Sequence, residues 1–225
     1  MSNAENHRIR VVILDVDGTV VTCPIDFGAM RRAVERAANR WSFDLKSLSV
    51  RGIIEQIRLA TDALQEHGSA FQAEAEGAVI QIEVDAAKTA HALPGAAEAL
   101  AQLRTDGYAV ALITRNCRAA SQVVLREVHD YDILLSRDDV PRPKPDPDHV
   151  HRSLSALGFT ADQAVMVGDH GFDMQAGRAA GVHLCIGVRT GNSTDASLTE
   201  AGADVVLGSL ADIPGWLRRY REPAA

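Results

Sequence analysis

The 225-residue sequence is poor in aromatic side chains, which make up 4% of it, and it has no long apolar run. A core must therefore be built mainly from Ala, Val, Leu and Ile. A membrane-spanning helix needs about 20 consecutive apolar residues, so we expect no membrane partner. The polar N-terminus lacks the apolar centre of a signal peptide, and we expect residues 1–7 to take no part in the fold.

Positive charge is also scarce, since 23 Lys and Arg residues face 30 Asp and Glu residues, giving a formal net charge of -7. Nucleic-acid binding needs positive surface to displace counterions from phosphates, so no nucleic-acid partner is expected. Cysteine is limited to Cys23, Cys117 and Cys185, which are far apart and lack a zinc-type spacing. This cysteine usage predicts a reducing, cytoplasmic location.

Short apolar runs rich in β-branched residues recur along the chain and predict buried strands. These runs lie at residues 10–16, 108–113, 133–135, 164–167, 182–186 and 204–207. Helical patterns separate most of them, and Gly158 and Gly181 stand where two of those helices should end. The alternation predicts an α/β fold, a Rossmann-like doubly wound parallel sheet with helices on both faces.

Residues 26–91 break that alternation, because they contain no convincing strand and three amphipathic helical patterns. The apolar positions are Met30, Val34, Ala38 and Trp41 in the first pattern, Ile53, Ile57, Ala60 and Leu64 in the second, and Phe71, Ala75, Val79, Ile82 and Ala86 in the third. They predict a small helical bundle. We therefore expect a core domain at residues 8–24 and 93–221, with an inserted helical cap domain at residues 25–92.

Acidic residues follow two of the predicted strands. Asp15-Val16-Asp17-Gly18-Thr19 ends the first strand, and Asp169 and Asp173 lie where a later strand gives way to a helix. Ligands of open α/β sheets bind beyond the carboxyl ends of the strands, so these carboxylates are placed for chemistry and suit a hard cation. An Asp-rich turn and a helix cap are the plain structural alternatives.

Polar residues follow other strands in the same way. Thr114-Arg115-Asn116 comes after the strand at 108–113, where a hydroxyl and backbone N–H groups suit phosphate oxygens, although a helix cap would use the same residues. Pro143-Lys144-Pro145 holds a lysine between two prolines. A restrained ammonium suits a phosphate dianion beside carboxylates, and a stiff surface loop is the alternative.

The order of these motifs resembles that of the haloacid dehalogenase-like superfamily over nearly the whole chain. The matching positions are Asp15-x-Asp17-Gly18-Thr19 for its first motif, Thr114 for its second, Lys144 for its third and Gly168-Asp169-x-x-x-Asp173 for its fourth. The helical insert is similar to the superfamily's helical cap, and residues 177–182 and 201–206 resemble its phosphoglycolate phosphatase-like members.

The resemblance implies a magnesium-dependent phosphatase that hydrolyses a phosphate monoester of a small metabolite. Asp15 would be the nucleophile that forms an aspartyl-phosphate, and Asp17 would act as general acid and then as general base. Mg²⁺ would be held by the carboxylates of Asp15 and Asp169 and by the backbone carbonyl of Asp17.

The same resemblance assigns the remaining polar residues. Thr114 and Lys144 would be catalytic and would bind the phosphoryl group together with Arg115 and Asn116. Asp173 would support the site without binding the cation itself, by orienting Lys144 or a metal-bound water.

Three alternative functions stay open beside this one. A haloacid dehalogenase resembles the chain, but it has no alkoxide to protonate, so Asp17 favours phosphate esters. A phosphosugar mutase would retain the same motifs and differ mainly in its cap. A non-catalytic binding domain of the same superfamily would be expected to lack the nucleophile or a metal-binding carboxylate, whereas all four motifs are present in this sequence. The sequence has no readable code for the substrate or for the oligomeric state.

Overall fold

The structure is a computed structural model that describes residues 9–50 and 52–221. The expectation for residues 1–7, and residue 8 of the expected core domain, lie outside this part of the chain. Pro24–Thr89 forms one compact unit, and the described residues before and after it form another. Among the helices described, none is both long enough and apolar enough to cross a bilayer.

The larger unit is built on a parallel sheet, which confirms the predicted α/β fold. The strands of this unit are β1 (Val11–Asp15), β2 (Val21–Thr22), β3 (His91–Ala92), β4 (Ala109–Ile113), β5 (Ile133–Leu135), β6 (Ala164–Gly168), β7 (Leu184–Val188) and β8 (Val205–Leu207). Six of them pair in the order β5-β4-β1-β6-β7-β8, so β1 lies between β4 and β6. Every residue of β1 and β6 is buried, as expected for strands covered on both faces.

The smaller unit is helical. Its helices are α1 (Phe27–Arg40), α2 (Ile53–Ala63) and α3 (Gly68–Ala87), with 3-10 turns at Leu45–Ser47 and Gln65–His67. The predicted apolar stripe of α3 is correct from Phe71 to Ile82, which packs against the helical core, but near the end of the helix Glu83 and Ala87 are buried and Ala86 is only half-buried. Residues four apart lie in one row along the surface of a helix. Here the row from Phe71 to Ala87 is buried along the whole of its length.

Helices of the larger unit follow the strands as predicted, with two more near the C-terminus. They are α4 (Ala96–Thr105), α5 (Arg118–Val124), α6 (Asp148–Leu157), α7 (Gly171–Ala180), α8 (Asp195–Glu200) and α9 (Ile213–Arg221), with 3-10 turns at Arg137–Asp139, Ala161–Gln163 and Leu210–Asp212. α6 and α7 end at Gly158 and Gly181, both with φ of 74°. Glycine tolerates this left-handed backbone, and both predicted helix ends are confirmed.

A two-stranded antiparallel ladder joins β2 to β3, with Val21 opposite Ala92 and Thr22 opposite His91. The sequence did not predict these strands, because two residues are too few to show a period. The ladder brings together the two points between which the helical unit is inserted in the chain.

The sheet core explains why β1 is fixed so firmly. Val11 and Ile13 pack on one face of the sheet with Leu154 of α6 and Met174 of α7. The alternate residues of β1 point to the other face and are fully buried as well. The carboxyl end of β1 is therefore held by packing on both faces and by ladders on both sides.

Candidate active site

Asp15 is the last residue of β1 and pairs with Ile113, the last residue of β4. The chain then turns sharply, because the N–H groups of Val20 and Val21 both donate to the carbonyl of Val16, at 2.9 and 3.0 Å. Gly18 has φ of 84°, which a residue with a side chain rarely adopts. The turn carries Asp17 away from the strand, so the two carboxylates of this motif have different partners.

Lys144 is the partner of Asp15. Its ammonium donates to Oδ1 of Asp15, to Oδ1 of Asp173 at 2.7 Å and to the carbonyl of Ile113 at 3.4 Å. The side chain is 1% exposed, so this lysine serves the interior and is not a surface residue. The alternative of a stiff surface loop around Lys144 therefore does not describe the structure.

The charges of this group depend on one another. Burial raises the pKa of Asp15 well above its usual value, Lys144 opposes that change, and the carboxylates of Asp173, Asp169 and Asp17 add to it. Burial would lower the pKa of Lys144, but Asp15 and Asp173 outweigh burial and raise it. Lys144 is therefore a permanent cation, and a divalent cation beside the carboxylates would favour the ionised form of Asp15.

Asp17 is held by the segment that follows β4. Its Oδ2 accepts hydrogen bonds from Oγ1 of Thr114 at 3.2 Å and from Nδ2 of Asn116 at 2.8 Å. Thr114 Oγ1 also accepts from the N–H of Asn116 at 3.1 Å. Two of the three polar residues predicted after β4 thus contact the general-acid candidate directly.

The segment after β4 is itself braced by residues after β5. Arg137 donates from its backbone N–H to the carbonyl of Asn116 at 3.0 Å, and from Nη1 to the carbonyl of Arg115 at 3.1 Å. Both the N–H and the hydroxyl of Ser136 donate to Oδ2 of Asp139. None of the sequence motifs includes these residues, although Ser followed three positions later by Asp is a capping pattern.

Three carboxylates form a cluster, those of Asp15, Asp169 and Asp173. Each has one oxygen that lies within 4.8 Å of an oxygen of the other two. Burial raises the pKa of Asp169 to about 6, the charge of Asp173 adds to this rise, and Lys144 opposes it. Carboxylate oxygens at this density repel one another and match the ligands that Mg²⁺ prefers. The donor set therefore fits a hard divalent cation.

Asp173 differs from the other two because both of its oxygens already have donors. Oδ1 accepts from Lys144, and Oδ2 accepts from the N–H of His170 at 3.0 Å. This arrangement suits the predicted role of Asp173 as the residue that orients Lys144. Asp15 and Asp169 are then the carboxylates available to a cation.

The loop after β7 passes close to Asp169, which the sequence did not reveal. A Cβ built on Gly191 would lie 1.6 Å from Oδ2 of Asp169, and one on Gly18 would lie 2.6 Å from the same oxygen. The neighbouring Thr190 donates from Oγ1 to the carbonyl of Gly18 at 2.5 Å. Backbone from two loops therefore encloses this carboxylate, and only glycine leaves room for it.

His149 is a second unexpected component. This fully buried histidine accepts the N–H of Lys144 at Nδ1, at 3.4 Å, and donates from Nε2 to the carbonyl of Ser136 at 3.0 Å. Burial lowers its pKa to about 4, so the ring is neutral at neutral pH. In the sequence it reads as one more residue of an amphipathic helix, and no local signal separates it.

The side chains of Arg115 and Phe172 pack against each other. Cζ of Arg115 lies 4.8 Å from the centre of the Phe172 ring, and His170 packs its ring edge-on against the same ring, with centroids 4.6 Å apart.

The structure thus brings Lys144 into contact with Asp15 and Asp173, and Asp17 into contact with Thr114 and Asn116, at the carboxyl ends of neighbouring strands. The catalytic and binding roles of these residues stay predictions.

Residues 9–181 match the family model of the haloacid dehalogenase-like hydrolases. The chain is 32% identical to a plasmid-encoded phosphoglycolate phosphatase of Cupriavidus necator, over 95% of this chain and 96% of the relative. It is 28% identical to a phosphoglycolate phosphatase of Pseudomonas fluorescens, over 92% of this chain and 80% of that relative.

A solved structure of similar fold is that of a hydrolase from Pseudomonas syringae. It superposes with a TM-score of 0.70 at 22% identity, over 93% of this chain and 98% of that one. At this identity the likeness concerns the fold.

Proposed function

This chain belongs to the haloacid dehalogenase-like hydrolases, and we propose that it is a phosphatase that hydrolyses a small phosphate monoester through an aspartyl-phosphate on Asp15. One observation carries the proposal: the two carboxylates at the end of β1 have separate environments. Asp15 is bound to the ammonium of Lys144, whereas Asp17 is bound to Thr114 and Asn116. Two acids in different surroundings fit two different roles in one reaction.

In the first step a carboxylate oxygen of Asp15 attacks the phosphorus atom. The new Asp15 O–P bond replaces the bond from phosphorus to the oxygen of the leaving alcohol. Lys144 holds Oδ1 of Asp15, which fixes the orientation of the carboxylate and offsets the charge of the approaching dianion. The buried position of Asp15 limits competing water at the nucleophile.

Asp17 supplies the proton for the leaving alcohol. As a carboxylic acid it protonates the departing oxygen, and as a carboxylate it then removes a proton from the water that attacks the aspartyl-phosphate. The hydrogen bonds from Thr114 and Asn116 end on one oxygen, Oδ2, and fix the plane of the carboxyl group. The second step releases inorganic phosphate and regenerates Asp15.

In this proposal the phosphoryl oxygens are bound by the N–H of Arg115, by Lys144 and by Thr114. Lys144 exchanges its 3.4 Å contact with the carbonyl of Ile113 for a phosphoryl oxygen, and the hydroxyl of Thr114 turns from Asp17 to the phosphoryl group when substrate binds. Asn116 belongs to the same loop, and its contact with Asp17 supports an orienting role beside the predicted one in substrate binding. Bracing by Arg137 fixes the two carbonyls that follow Thr114, so the N–H groups of the loop keep one orientation.

Magnesium is part of the proposal, held by the carboxylates of Asp15 and Asp169 and by the backbone carbonyl of Asp17. When bound, the cation neutralises charge where a dianionic phosphate meets several carboxylates. Asp173 keeps Lys144 in place and leaves the cation to the other two carboxylates.

The phosphoglycolate phosphatases among its relatives support a small phosphorylated metabolite similar to phosphoglycolate as the substrate. We propose a cytoplasmic location, which suits three cysteines present as thiols. The proposed domains are a core at residues 8–24 and 93–221 and a helical cap at residues 25–92; His91–Ala92, at the end of the proposed cap, pair with β2 of the larger unit.

The test is a phosphate-release screen of small phosphate esters with Mg²⁺ and with a chelator. We expect hydrolysis that depends on Mg²⁺ and is lost in Asp15→Asn. Asp62→Asn, which changes an exposed aspartate of α2, is the matched control and should keep full activity. Substantial turnover by Asp15→Asn, or no hydrolysis of any ester, would contradict the proposal. Analysis of the organic product separates a phosphatase from a phosphosugar mutase, which isomerises its substrate.

A further inference from the structure

The side chain of Arg137 lies in the interior, beside the loop that follows β4. It is 8% exposed, its Nε lies 3.9 Å from Oδ1 of Asp138, and its Nη1 donates to the carbonyl of Arg115 at 3.1 Å. Arginine is rarely buried unless its charge is paired or hydrogen-bonded. The burial of this guanidinium therefore depends in part on a backbone carbonyl of the proposed phosphate-binding loop.

The peptide unit between Arg115 and Asn116 is fixed at both ends. Its carbonyl accepts from Nη1 of Arg137, and its N–H donates to Oγ1 of Thr114 at 3.1 Å. The carbonyl of the next peptide unit, that of Asn116, accepts the backbone N–H of Arg137 at 3.0 Å. Cα of Asn116 lies between these two peptide units, so its side chain starts from a fixed position.

Asn116 is the link between Arg137 and the general-acid candidate. Its buried side chain donates from Nδ2 to Oδ2 of Asp17 at 2.8 Å. Thr114 also donates to that oxygen, but in the proposed mechanism its hydroxyl turns to the phosphoryl group when substrate binds. Of these two hydrogen bonds, the one from Asn116 is then the bond that holds the carboxyl group of Asp17 during proton transfer.

The turn that carries Arg137 is anchored without the help of its guanidinium. The carbonyl of Ser136 accepts a hydrogen bond from Nε2 of His149 at 3.0 Å. Oδ2 of Asp138 accepts the N–H of Arg118, the first residue of α5, at 2.8 Å. Replacing the side chain of Arg137 therefore removes its hydrogen bond to the loop and leaves these anchors of the turn in place.

We propose that Arg137 is a positioning residue for proton transfer, which acts through Asn116 to hold Asp17 within reach of the leaving oxygen. The N–H that binds the phosphoryl group in the proposed mechanism belongs to a different peptide unit, the one between Thr114 and Arg115. Loss of the Arg137 side chain should therefore disturb protonation of the leaving group more than it disturbs phosphate binding. This inference rests on the proposed phosphatase function and adds to it a residue that supports the general acid.

Two esters with different leaving groups test this inference. The alcohol of 2-phosphoglycolate is a poor leaving group that needs a proton, whereas p-nitrophenol leaves as a stable phenolate without a general acid. Arg137→Met should lower kcat/KM for 2-phosphoglycolate by about 10- to 100-fold and for p-nitrophenyl phosphate by less than about 3-fold. Because kcat/KM covers the steps up to release of the alcohol, hydrolysis of the aspartyl-phosphate does not enter the comparison. Another alkyl ester from the phosphate-release screen replaces 2-phosphoglycolate if the wild type does not hydrolyse it.

Further variants separate the hydrogen bond from the volume of the side chain. Arg137→Lys keeps a donor and the charge, and it should recover part of the kcat/KM that Arg137→Met loses for 2-phosphoglycolate. Arg126→Met removes an exposed arginine that pairs with Glu127, and it should leave both kcat/KM values unchanged. Inorganic phosphate has no leaving group, so its inhibition constant should change by less than about 3-fold in Arg137→Met.

The outcomes separate this inference from the function on which it rests. Thermal melting shows which variants are folded, and Arg137→Gln, with its shorter uncharged side chain, takes the place of Arg137→Met if that variant is not. A loss for p-nitrophenyl phosphate as large as the loss for the alkyl ester, or no loss for either, would overturn the inference alone. An Arg137→Lys protein no better than Arg137→Met would overturn it as well. If the wild type hydrolyses no phosphate ester at all, the proposed function fails and the inference fails with it.

Discussion

The ammonium of Lys144 donates to Oδ1 of Asp15, a carboxylate 129 positions earlier in the sequence. Asp173 accepts a second hydrogen bond from the same ammonium, and all three side chains are almost fully buried. Removing one partner from such a buried group leaves an uncompensated charge, and it typically costs about 3–5 kcal/mol. In the proposed mechanism, this ion triad therefore connects the activity of the protein to its stability.

Lys144→Met should abolish phosphatase activity and lower the free energy of unfolding by about 3–5 kcal/mol near neutral pH. The loss should shrink at acidic pH, because burial raises the pKa of Asp15 and its protonation removes the repulsion. Urea unfolding at several pH values measures this. Lys46→Met, at an exposed lysine of the helical unit, is the matched control. A Lys144→Met protein with wild-type stability at neutral pH would contradict the triad.

Asp169 should make stability depend on pH. Burial and Asp173 raise its pKa from 3.8 to about 6, so between these values the folded protein binds more protons than the unfolded chain. Its contribution to stability therefore falls as pH rises from about 4 to about 6. A cation binds the ionised carboxylate, so Mg²⁺ should raise the melting temperature more at pH 7 than at pH 5.

Melting curves with and without Mg²⁺, recorded for the wild type and for Asp169→Asn, check this expectation. The variant should lose both the Mg²⁺-dependent shift and this part of the pH dependence. An Mg²⁺ shift of the same size at both pH values, or one that survives in Asp169→Asn, would refute the assignment of this carboxylate to the cation.

His149 should position Lys144 without changing its own protonation state between pH 6 and 8. Burial lowers its pKa to about 4, so below its usual value of 6.5 the unfolded chain takes up a proton that the folded state excludes. Its contribution to stability is therefore lost as pH falls from about 6.5 to about 4. His149→Leu should remove that dependence and reduce kcat by roughly 10-fold, because Lys144 loses a backbone partner.

His149→Asn offers an oxygen near the position of Nδ1 and should recover part of the kcat lost in His149→Leu. The pH profile of kcat between pH 6 and 8 should keep its shape in both variants. A wild-type kcat in His149→Leu would show that the contact with Lys144 has no part in positioning it.

Gly191→Ala tests the close approach to Asp169. The new Cβ would lie 1.6 Å from Oδ2 of Asp169, so the loop or the carboxylate must move. We expect weaker Mg²⁺ stabilisation and a large loss of activity. Gly77→Ala is the contrasting control, because a Cβ at this position in α3 meets nothing within 4 Å. It should stabilise the protein by about 1 kcal/mol. Equal activities of the two variants would be inconsistent with this geometry.

Much of the sheet was predictable because its strands are short runs of buried β-branched residues, each ending at a polar motif. Asp15 ends one strand of a parallel sheet, and Thr114 and Asp169 follow the two strands beside it, so their convergence follows from the topology. The resemblance to a known family then supplied the order of the motifs and the place of Lys144.

Other features could not be predicted because they depend on approaches between distant segments. His149 has the pattern of an ordinary helix residue, and its use becomes visible only when Lys144 is folded against it. The crowding of Gly191 against Asp169 and the packing of Arg115 on Phe172 likewise join loops from different strands. β2 and β3 have two residues each, too few for a periodic signal.

Detection of the phosphoryl group on Asp15 tests the central claim most directly. The protein would be mixed with substrate and Mg²⁺, quenched in acid within a turnover, digested and analysed by mass spectrometry. We predict one phosphoryl group on the side chain of Asp15, present in the wild type and absent from Asp15→Asn. An actively hydrolysing protein whose Asp15 peptide stays unmodified, with the phosphoryl group on another residue or on none, would contradict the account.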